Sequence, residues 1–176
     1  MIRVLNSLLA VCTIFALSAC DPTNDLEDPP VDLGEFKLGY NIVVVPDPQL
    51  LPGSRSATDD EWVTALTAAI DARFGRYEGS RLYHFGISVD AYNLAAIDVP
   101  GIPTPKSALG ITATVWDDEK AAKLNENAKV ITVVGIFSGA GIQPTKQEQL
   151  DNLSALAAKS VEKWLLENRD WFDSAE

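Results

Sequence analysis

Residues 81–93 read RLYHFGISVDAYN, and apolar side chains occupy every second position of this stretch. Successive side chains of a β-strand point to opposite faces, so the apolar and polar residues separate into two rows. The apolar row consists of Tyr83, Phe85, Ile87, Val89 and Ala91, and the polar row contains His84, Ser88 and Asp90. The pattern predicts a strand with one buried face and one face towards solvent.

A second alternating stretch covers residues 109–116, after a proline-rich connection. Its inward row is Leu109, Ile111, Ala113 and Val115, and its outward row is Thr112, Thr114 and Trp116. Two other stretches, 38–45 (LGYNIVVV) and 130–137 (VITVVGIF), are almost continuously apolar, which is typical of strands covered on both faces. We therefore expect a buried strand at 38–45 and place 130–137 at the centre of the sheet.

Two helices are predicted, and each begins at a capping box, in which a hydroxyl and a Glu three residues later satisfy the first N–H groups. The boxes are formed by Thr58 with Glu61 and by Thr145 with Glu148. Apolar residues at helical spacing follow both boxes and predict helices that end near Gly75 and Asn168.

The predicted order is β-α-β-β-β-α. Both helices are amphipathic, so the expected fold is an α+β two-layer sandwich with two helices on one face of a four-stranded mixed sheet. The helix-free side of the sheet is called the open face below. The predicted core contains Trp62, Leu66, Ile70, Phe85, Ile87, Val133, Leu153 and Trp164.

The N-terminus has the features of a secretory signal peptide. Residues 1–20 read MIRVLNSLLAVCTIFALSAC, with one positive charge at Arg3, an apolar run and small residues before Cys20. The apolar run has about 14 residues, fewer than the roughly 20 that a membrane-spanning helix needs. We predict a cleaved signal rather than a transmembrane anchor.

The sequence LSAC at 17–20 resembles the lipobox of bacterial lipoproteins. The resemblance implies cleavage before Cys20 and attachment of diacylglycerol and a further acyl chain, such as palmitate, to that cysteine. Two or three acyl chains hold a protein on a membrane permanently. Asp21 resembles the inner-membrane retention signal of enteric lipoproteins, but that rule differs between bacterial groups, so both membranes stay open. The alternative is an ordinary secreted protein in which Cys20 is a free thiol.

An acidic, proline-rich segment follows at 21–35 (DPTNDLEDPPVDLGE), without a basic residue. Such a composition favours an extended chain, which could reach about 45 to 50 Å. The predicted organisation is a signal peptide at 1–19, a lipidated cysteine and tether at 20–35, and a globular domain at 36–176.

Composition excludes several classes of function. With 14 Lys and Arg against 25 Asp and Glu among 176 residues, the formal net charge is -11, which disfavours nucleic acid as a partner. One His and two Cys provide too few ligands for a Cys/His zinc site, and 47% hydrophobic residues suit a single folded domain. We expect no metal and no cofactor apart from the lipid on Cys20.

The residues give little support for catalysis. His84, Ser88 and Asp90 could supply a nucleophilic triad, but His84 and Ser88 lie about 13 Å apart along one strand, and a base must approach its nucleophile to about 3 Å. A carboxylate-based periplasmic hydrolase needs two suitably separated acids, which leave no sequence motif. We therefore assign no catalytic residue, and this hydrolase remains an alternative.

The strand and helix order behind a lipobox resembles small envelope lipoproteins, among them the lipopolysaccharide-assembly lipoprotein and the auxiliary lipoproteins of envelope transporters. The resemblance implies a membrane-anchored, non-enzymatic binding or assembly factor that faces the periplasm and serves another envelope protein. The expected partner surface consists of His84, Ser88, Asp90, Thr112, Thr114 and Trp116. Trp171 and Phe172 either cover the end of the domain or form a docking patch. A carrier of a small apolar ligand, held between helices and sheet, is a further alternative.

Overall fold

The chain folds into two helices and one mixed sheet, as a computed structural model that describes residues 25–96, 106–135 and 144–173 shows. In chain order the elements are β1 (Phe36–Val44), β2 (Gln49–Leu50), α1 (Asp59–Phe74), β3 (Arg81–Asn93), β4 (Ser107–Asp117), β5 (Ala122–Lys123), β6 (Lys129–Gly135), α2 (Lys146–Glu167) and a 3-10 helix (Arg169–Trp171). The α+β class is confirmed. The sheet has six strands rather than the predicted four, because β2 and β5 are two-residue strands, too short to leave an alternating pattern.

The central strands of the sheet are β3 and β4, which pair with each other in antiparallel register. β1 lies parallel to β3 on one side, and β6 lies antiparallel to β4 on the other. β2 pairs with β3 and β5 pairs with β4. Within the described residues β1 and β6 are therefore edge strands. The prediction that 130–137 lies at the sheet centre is wrong for its described part.

The two edge strands are also covered on one face only. In β6, Ile131 and Val133 are buried, whereas Val130 and Val134 are 68% and 46% exposed. In β1, which was expected to be buried, Tyr40 is 72% exposed. The apolar runs predicted coverage on both faces, but the helices cover one face and the second apolar row stays in contact with solvent.

Both capping boxes form as predicted. Thr58 and Thr145 accept hydrogen bonds from the N–H groups of Glu61 and Glu148, whose carboxylates bond back to the capping residues. All eight residues of the predicted core are buried. No helix in the described ranges is both long and apolar enough to span a bilayer.

Phe172 belongs to the core rather than to a docking patch. Its side chain is fully buried, and its ring packs edge-on against Phe36 at a centroid distance of 5.3 Å and against Tyr83 at 4.9 Å. Trp171 contacts the ring of Trp164 at 5.5 Å. The aromatic pair after α2 thus covers the end of the domain.

The N-terminal strap, residues 25–35, is packed against the domain. Leu33 is 1% exposed and belongs to the hydrophobic core. Asp25 forms ion pairs with Arg73 of α1 and Lys159 of α2. This part of the chain was predicted as an extended tether, and that description does not fit the strap. The signal peptide and Cys20 lie outside the described residues.

Candidate binding face of the sheet

The structure places the six residues of the predicted partner surface on the open face. In the antiparallel pairing of β3 with β4, His84 lies opposite Trp116 and Ser88 lies opposite Thr112. The residues that alternate with them, such as Phe85 and Val115, are buried. The six residues share one face, as their positions in the strands predict. Their role in binding stays a prediction.

His84 lies at one end of the open face, where β1 has an irregular register between Leu38 and Asn41. Its Nδ1 accepts a hydrogen bond from the Tyr40 N–H at 2.7 Å. A Cβ on Gly39 would lie 2.3 Å from the same nitrogen, so the close approach of strand and ring requires glycine there. At the irregularity the imidazole thus accepts the hydrogen bond that a backbone carbonyl of the neighbouring strand accepts in a regular sheet, and this contact orients Tyr40.

The second nitrogen of His84 contacts the turn between β4 and β5. Its Nε2 lies 2.9 Å from Oδ1 of Asp118. Since the Tyr40 N–H is a donor, Nδ1 must accept, which leaves the ring proton on Nε2, facing the carboxylate. His84 therefore joins β1 to the β4–β5 turn beside Trp116, which is 38% exposed. Its contacts are structural, and neither nitrogen faces a hydroxyl nucleophile.

Asp90 organises a second group on the same face. One carboxylate oxygen accepts a hydrogen bond from the Ser88 hydroxyl at 3.0 Å, and the other accepts one from Thr112. Ser88 thus donates to an acid and not to His84, which has different partners. The hydrogen bonds of the described residues therefore do not form the triad that the distance along the strand already excludes. Both carboxylate oxygens of Asp90 are satisfied by hydroxyl groups.

Both edge strands add apolar side chains to the open face that sequence reasoning missed. These exposed residues, called the apolar rim, are Tyr40, Ile42 and Val44 of β1 and Val130 and Val134 of β6. Sequence reasoning missed them because continuous apolar runs predicted burial. Alternation from the inward Ile131 and Val133 identifies Val130 and Val134, but in β1 the irregularity between Leu38 and Asn41 breaks the alternation, so no local pattern identifies its exposed residues.

The middle of the open face carries small side chains. Gly86 lies between Ile42 of β1 and Thr114 of β4, and a Cβ on this glycine would meet no atom within 4 Å. Larger side chains stand on both sides, in the apolar rim. The middle of the open face is thus a strip of glycine and hydroxyl groups between two apolar rows, with His84 and Trp116 at one end, and a protein surface can pack against it.

The helix side of the domain differs from the open face in containing a cluster of buried charges. Arg73 is 2% exposed and donates to Oε2 of Glu162 at 2.6 Å, while Tyr77 donates to Oε1 at 2.8 Å. The second guanidinium nitrogen of Arg73 bonds to Asp25 of the strap. Each buried charge therefore has partners of opposite charge or hydrogen-bonding groups.

The ionisation of this cluster follows from its contacts. The hydrogen bond from Arg73, helped by Lys159, lowers the pKa of Asp25 from 3.8 to about 2. Burial, together with the hydrogen bond to Glu162, raises the pKa of Tyr77 far above its ordinary value of 10.0. These contacts keep Asp25 charged and Tyr77 neutral, which is typical of a structural ion-pair cluster.

Catalytic carboxylates receive no support from the described residues. Wherever the pKa of a carboxyl group is shifted there, it is lowered by hydrogen bonds or ion pairs, as in Asp25, Glu35, Glu61 and Glu148. A general acid of a glycosidase needs the opposite shift. In the same part of the chain no three His, Cys, Asp or Glu side chains are grouped so that they could hold a metal ion.

Comparison with known proteins shows a shared fold at low identity. A Xanthomonas campestris protein of the DUF330 family is 11% identical, with a TM-score of 0.53 over 81% of this chain and 92% of that chain. A Caulobacter crescentus protein assigned as a lipoprotein has a TM-score of 0.45 at 14% identity, over 77% and 93% of the two chains. A minor lipoprotein from Acinetobacter baumannii has a TM-score of 0.34 at 16% identity, over 74% and 94%.

Of these three, the X. campestris protein shares the fold with this chain, and at 11% identity the likeness shows the fold alone. The scores of the other two lie below 0.5, so no structural argument rests on them. No family model matches the chain, and no curated protein matches it by sequence.

Proposed function

We propose that this chain is a lipoprotein of the bacterial cell envelope, anchored by acyl chains on Cys20 and facing the periplasm. Its domain acts as a non-enzymatic binding or assembly factor that docks an envelope protein on the open face. The signal sequence with its lipobox supports the anchor, and the apolar rim supports the docking.

The observation that carries the docking proposal is the exposed apolar surface at both edges of one flat face. Tyr40, Ile42 and Val130 are 72%, 59% and 68% exposed, although the chain carries a net charge of -11. Several exposed apolar side chains on one face of an otherwise polar protein are typical of interaction surfaces. The partner that fits is a protein with an apolar surface, because a polyanion would be repelled by the charge of the domain.

The anchor is tested by Cys20→Ser. The signal peptidase of lipoproteins needs the lipidated cysteine, so this variant should accumulate as an unprocessed precursor and take up no label from a radioactive fatty acid. A Cys12→Ser variant, which changes the other cysteine within the signal peptide, should be processed and labelled normally. Fatty acid label on the Cys20→Ser protein would refute the lipid anchor.

Docking is tested by Trp116→Ala, since aromatic side chains often dominate interface energies. The change should weaken association with the envelope partner, recovered from detergent-solubilised membranes, by more than about 1 kcal/mol while stability stays almost unchanged. Leu166→Ala is the matched control, because Leu166 is 42% exposed but belongs to α2. Equal losses of affinity for both variants, or no loss for Trp116→Ala, would refute docking on this face.

The two alternatives have less support. The carboxylate-based hydrolase lacks an acid with a raised pKa among the described residues, as shown above. A carrier of a small apolar ligand needs space between helices and sheet, and there Trp62 of α1 packs against Tyr92 of β3 and Phe74 of α1 packs against Phe85 of β3. The binding factor is therefore the function that the arrangement of residues favours.

A further inference from the structure

We infer that the strap fixes the orientation of the domain on the membrane, with the helix layer towards the lipid and the open face away from it. The inference rests on the proposed acylation of Cys20. It identifies the membrane-facing surface as the outer side of α1 and α2 around Lys159 and Lys163, and its partner as the phospholipid surface that carries the acyl chains.

The first step is that the strap is bound to both helices close to its N-terminal end. Asp25 contacts Arg73 of α1 and lies 2.9 Å from Nζ of Lys159 in α2. Leu26 and Asp28 follow Asp25 in the strap, and their carbonyl oxygens accept hydrogen bonds from the Arg76 side chain at 3.0 Å and 2.8 Å. The chain is therefore held to the helix layer from Asp25 onwards.

The second step is the direction in which Lys159 points. Lys159 follows the buried Leu150 by nine residues, which at 3.6 residues per turn places the two on opposite sides of α2. Leu150 faces the core, so Lys159 faces outwards. Asp25, as its ion-pair partner, lies on the outer surface of the helix layer.

The third step is the length of chain between the acyl group and the strap. Cys20 and Asp25 are five residues apart, which spans at most about 18 Å in any conformation. The tether predicted from the sequence was more than twice as long. A helix with its side chains is about 10–12 Å across and a sheet layer adds about 10 Å, so this stretch cannot carry the acyl group past the open face.

The charge of the proposed membrane-facing surface is consistent with this orientation. Lys159 and Lys163 are one helical turn apart on α2, and Lys163 is exposed. Asp25 compensates the charge of Lys159, so Lys163 contributes most of the attraction to an anionic lipid surface. The docked strap and the lysines therefore favour the same side of the domain.

The test uses two single-cysteine variants of the acylated protein on vesicles of phosphatidylethanolamine with a minority of phosphatidylglycerol. Cys12 lies in the signal peptide and Cys20 is blocked by lipid, so a new thiol at Lys163→Cys or Val130→Cys is the one that a fluorophore labels. A nitroxide on the lipid headgroups should quench the label at 163 several-fold more strongly than the label at 130, which lies on the apolar rim.

A third protein separates the strap from the surface charges. An insertion of about ten Gly and Ser residues between Asn24 and Asp25 lengthens the connection between the acyl group and the strap without changing a described residue. It should bring the quenching at 163 and 130 close to equal. An unchanged difference would overturn the role that we assign to the short connection.

The outcomes distinguish this inference from the proposed function. If the protein floats with the vesicles and the two labels are quenched equally, or 130 more strongly, the orientation is wrong and the lipid anchor stands. If the protein does not float with the vesicles, the anchor itself is refuted, and the orientation with it.

Discussion

The helix side and the open face of this domain differ in how each meets its surroundings. On the helix side the strap is bound to both helices through Asp25, and the charges of Arg73 and Glu162 are buried and paired. On the open face no described residue covers the sheet, and Tyr40 and Val130 are more than two-thirds exposed. One face is completed by the chain itself, and the other presents apolar groups to solvent.

The difference shows that local composition does not decide which segment is buried. An acidic segment can pack against the core, and an apolar edge strand can expose one row of its side chains. The strap is rich in acids and proline, yet Leu33 and Asp25 connect it to the core and the helices. The edge strands are rich in valine and isoleucine, yet four of these seven side chains are exposed. Changes on the helix side should therefore affect stability, and changes on the open face should affect binding.

The largest effect is expected from Arg73→Ala. The change leaves the buried carboxylate of Glu162 without its closest cation, and breaking a buried ion pair from one side costs about 3–5 kcal/mol. Urea unfolding of the variant would measure this loss. A loss under about 1 kcal/mol would show that water enters the cluster and that the helix side is not locked by buried charge.

Leu33→Ala tests whether the strap is part of the folded domain. Leu33 is 1% exposed, so truncation should cost about 2–5 kcal/mol of unfolding free energy. Leu26→Ala is the matched control from the same strap, because Leu26 is 37% exposed and should lose much less. Equal small losses for the two variants would mean that the strap separates from the domain in solution.

The ion pairs of Asp25 predict a stability component that acid removes. Because the folded-state pKa of Asp25 is lowered from 3.8 to about 2, the charged acid stabilises the fold above the unfolded pKa. This stabilisation is lost as the pH falls through the interval from about 4 to about 2. Asp25→Asn should be less stable than the wild type at neutral pH, and the difference should shrink across that interval. A difference that is independent of pH would exclude the ion pair as its cause.

The smallest effect is expected on the open face. Val130→Thr keeps a β-branched side chain on β6 at a position that is 68% exposed, so the unfolding free energy should change by less than about 0.5 kcal/mol. Association with the partner should weaken, because a hydroxyl replaces a methyl group in the apolar rim. A large loss of stability would show that the open face is covered by part of the same chain.

Sequence reasoning predicted the features that depend on local geometry and local hydrogen bonding. The alternation at 81–93 identified β3 with its observed bounds and placed His84 on the open face, and the alternation at 109–116 placed Trp116 there, because side chains alternate along a regular strand. The alternation of β3 holds as far as Val89, after which a register shift puts Tyr92 rather than Ala91 into the core. The two helix starts were predicted at Thr58 and Thr145, since a capping box is formed within four consecutive residues.

The tertiary structure decided what covers each surface, because coverage depends on contacts between distant parts of the chain. Arg73 and Asp25 are 48 residues apart, and no local pattern in an acidic, proline-rich segment indicates that it will dock. An apolar run such as that of β6 is compatible with a central strand or with an edge strand that exposes one row. The order of the strands and the number of layers packed against the sheet make that choice. Among the described residues β6 pairs with β4 alone, the helices form one layer, and no residue covers the other face.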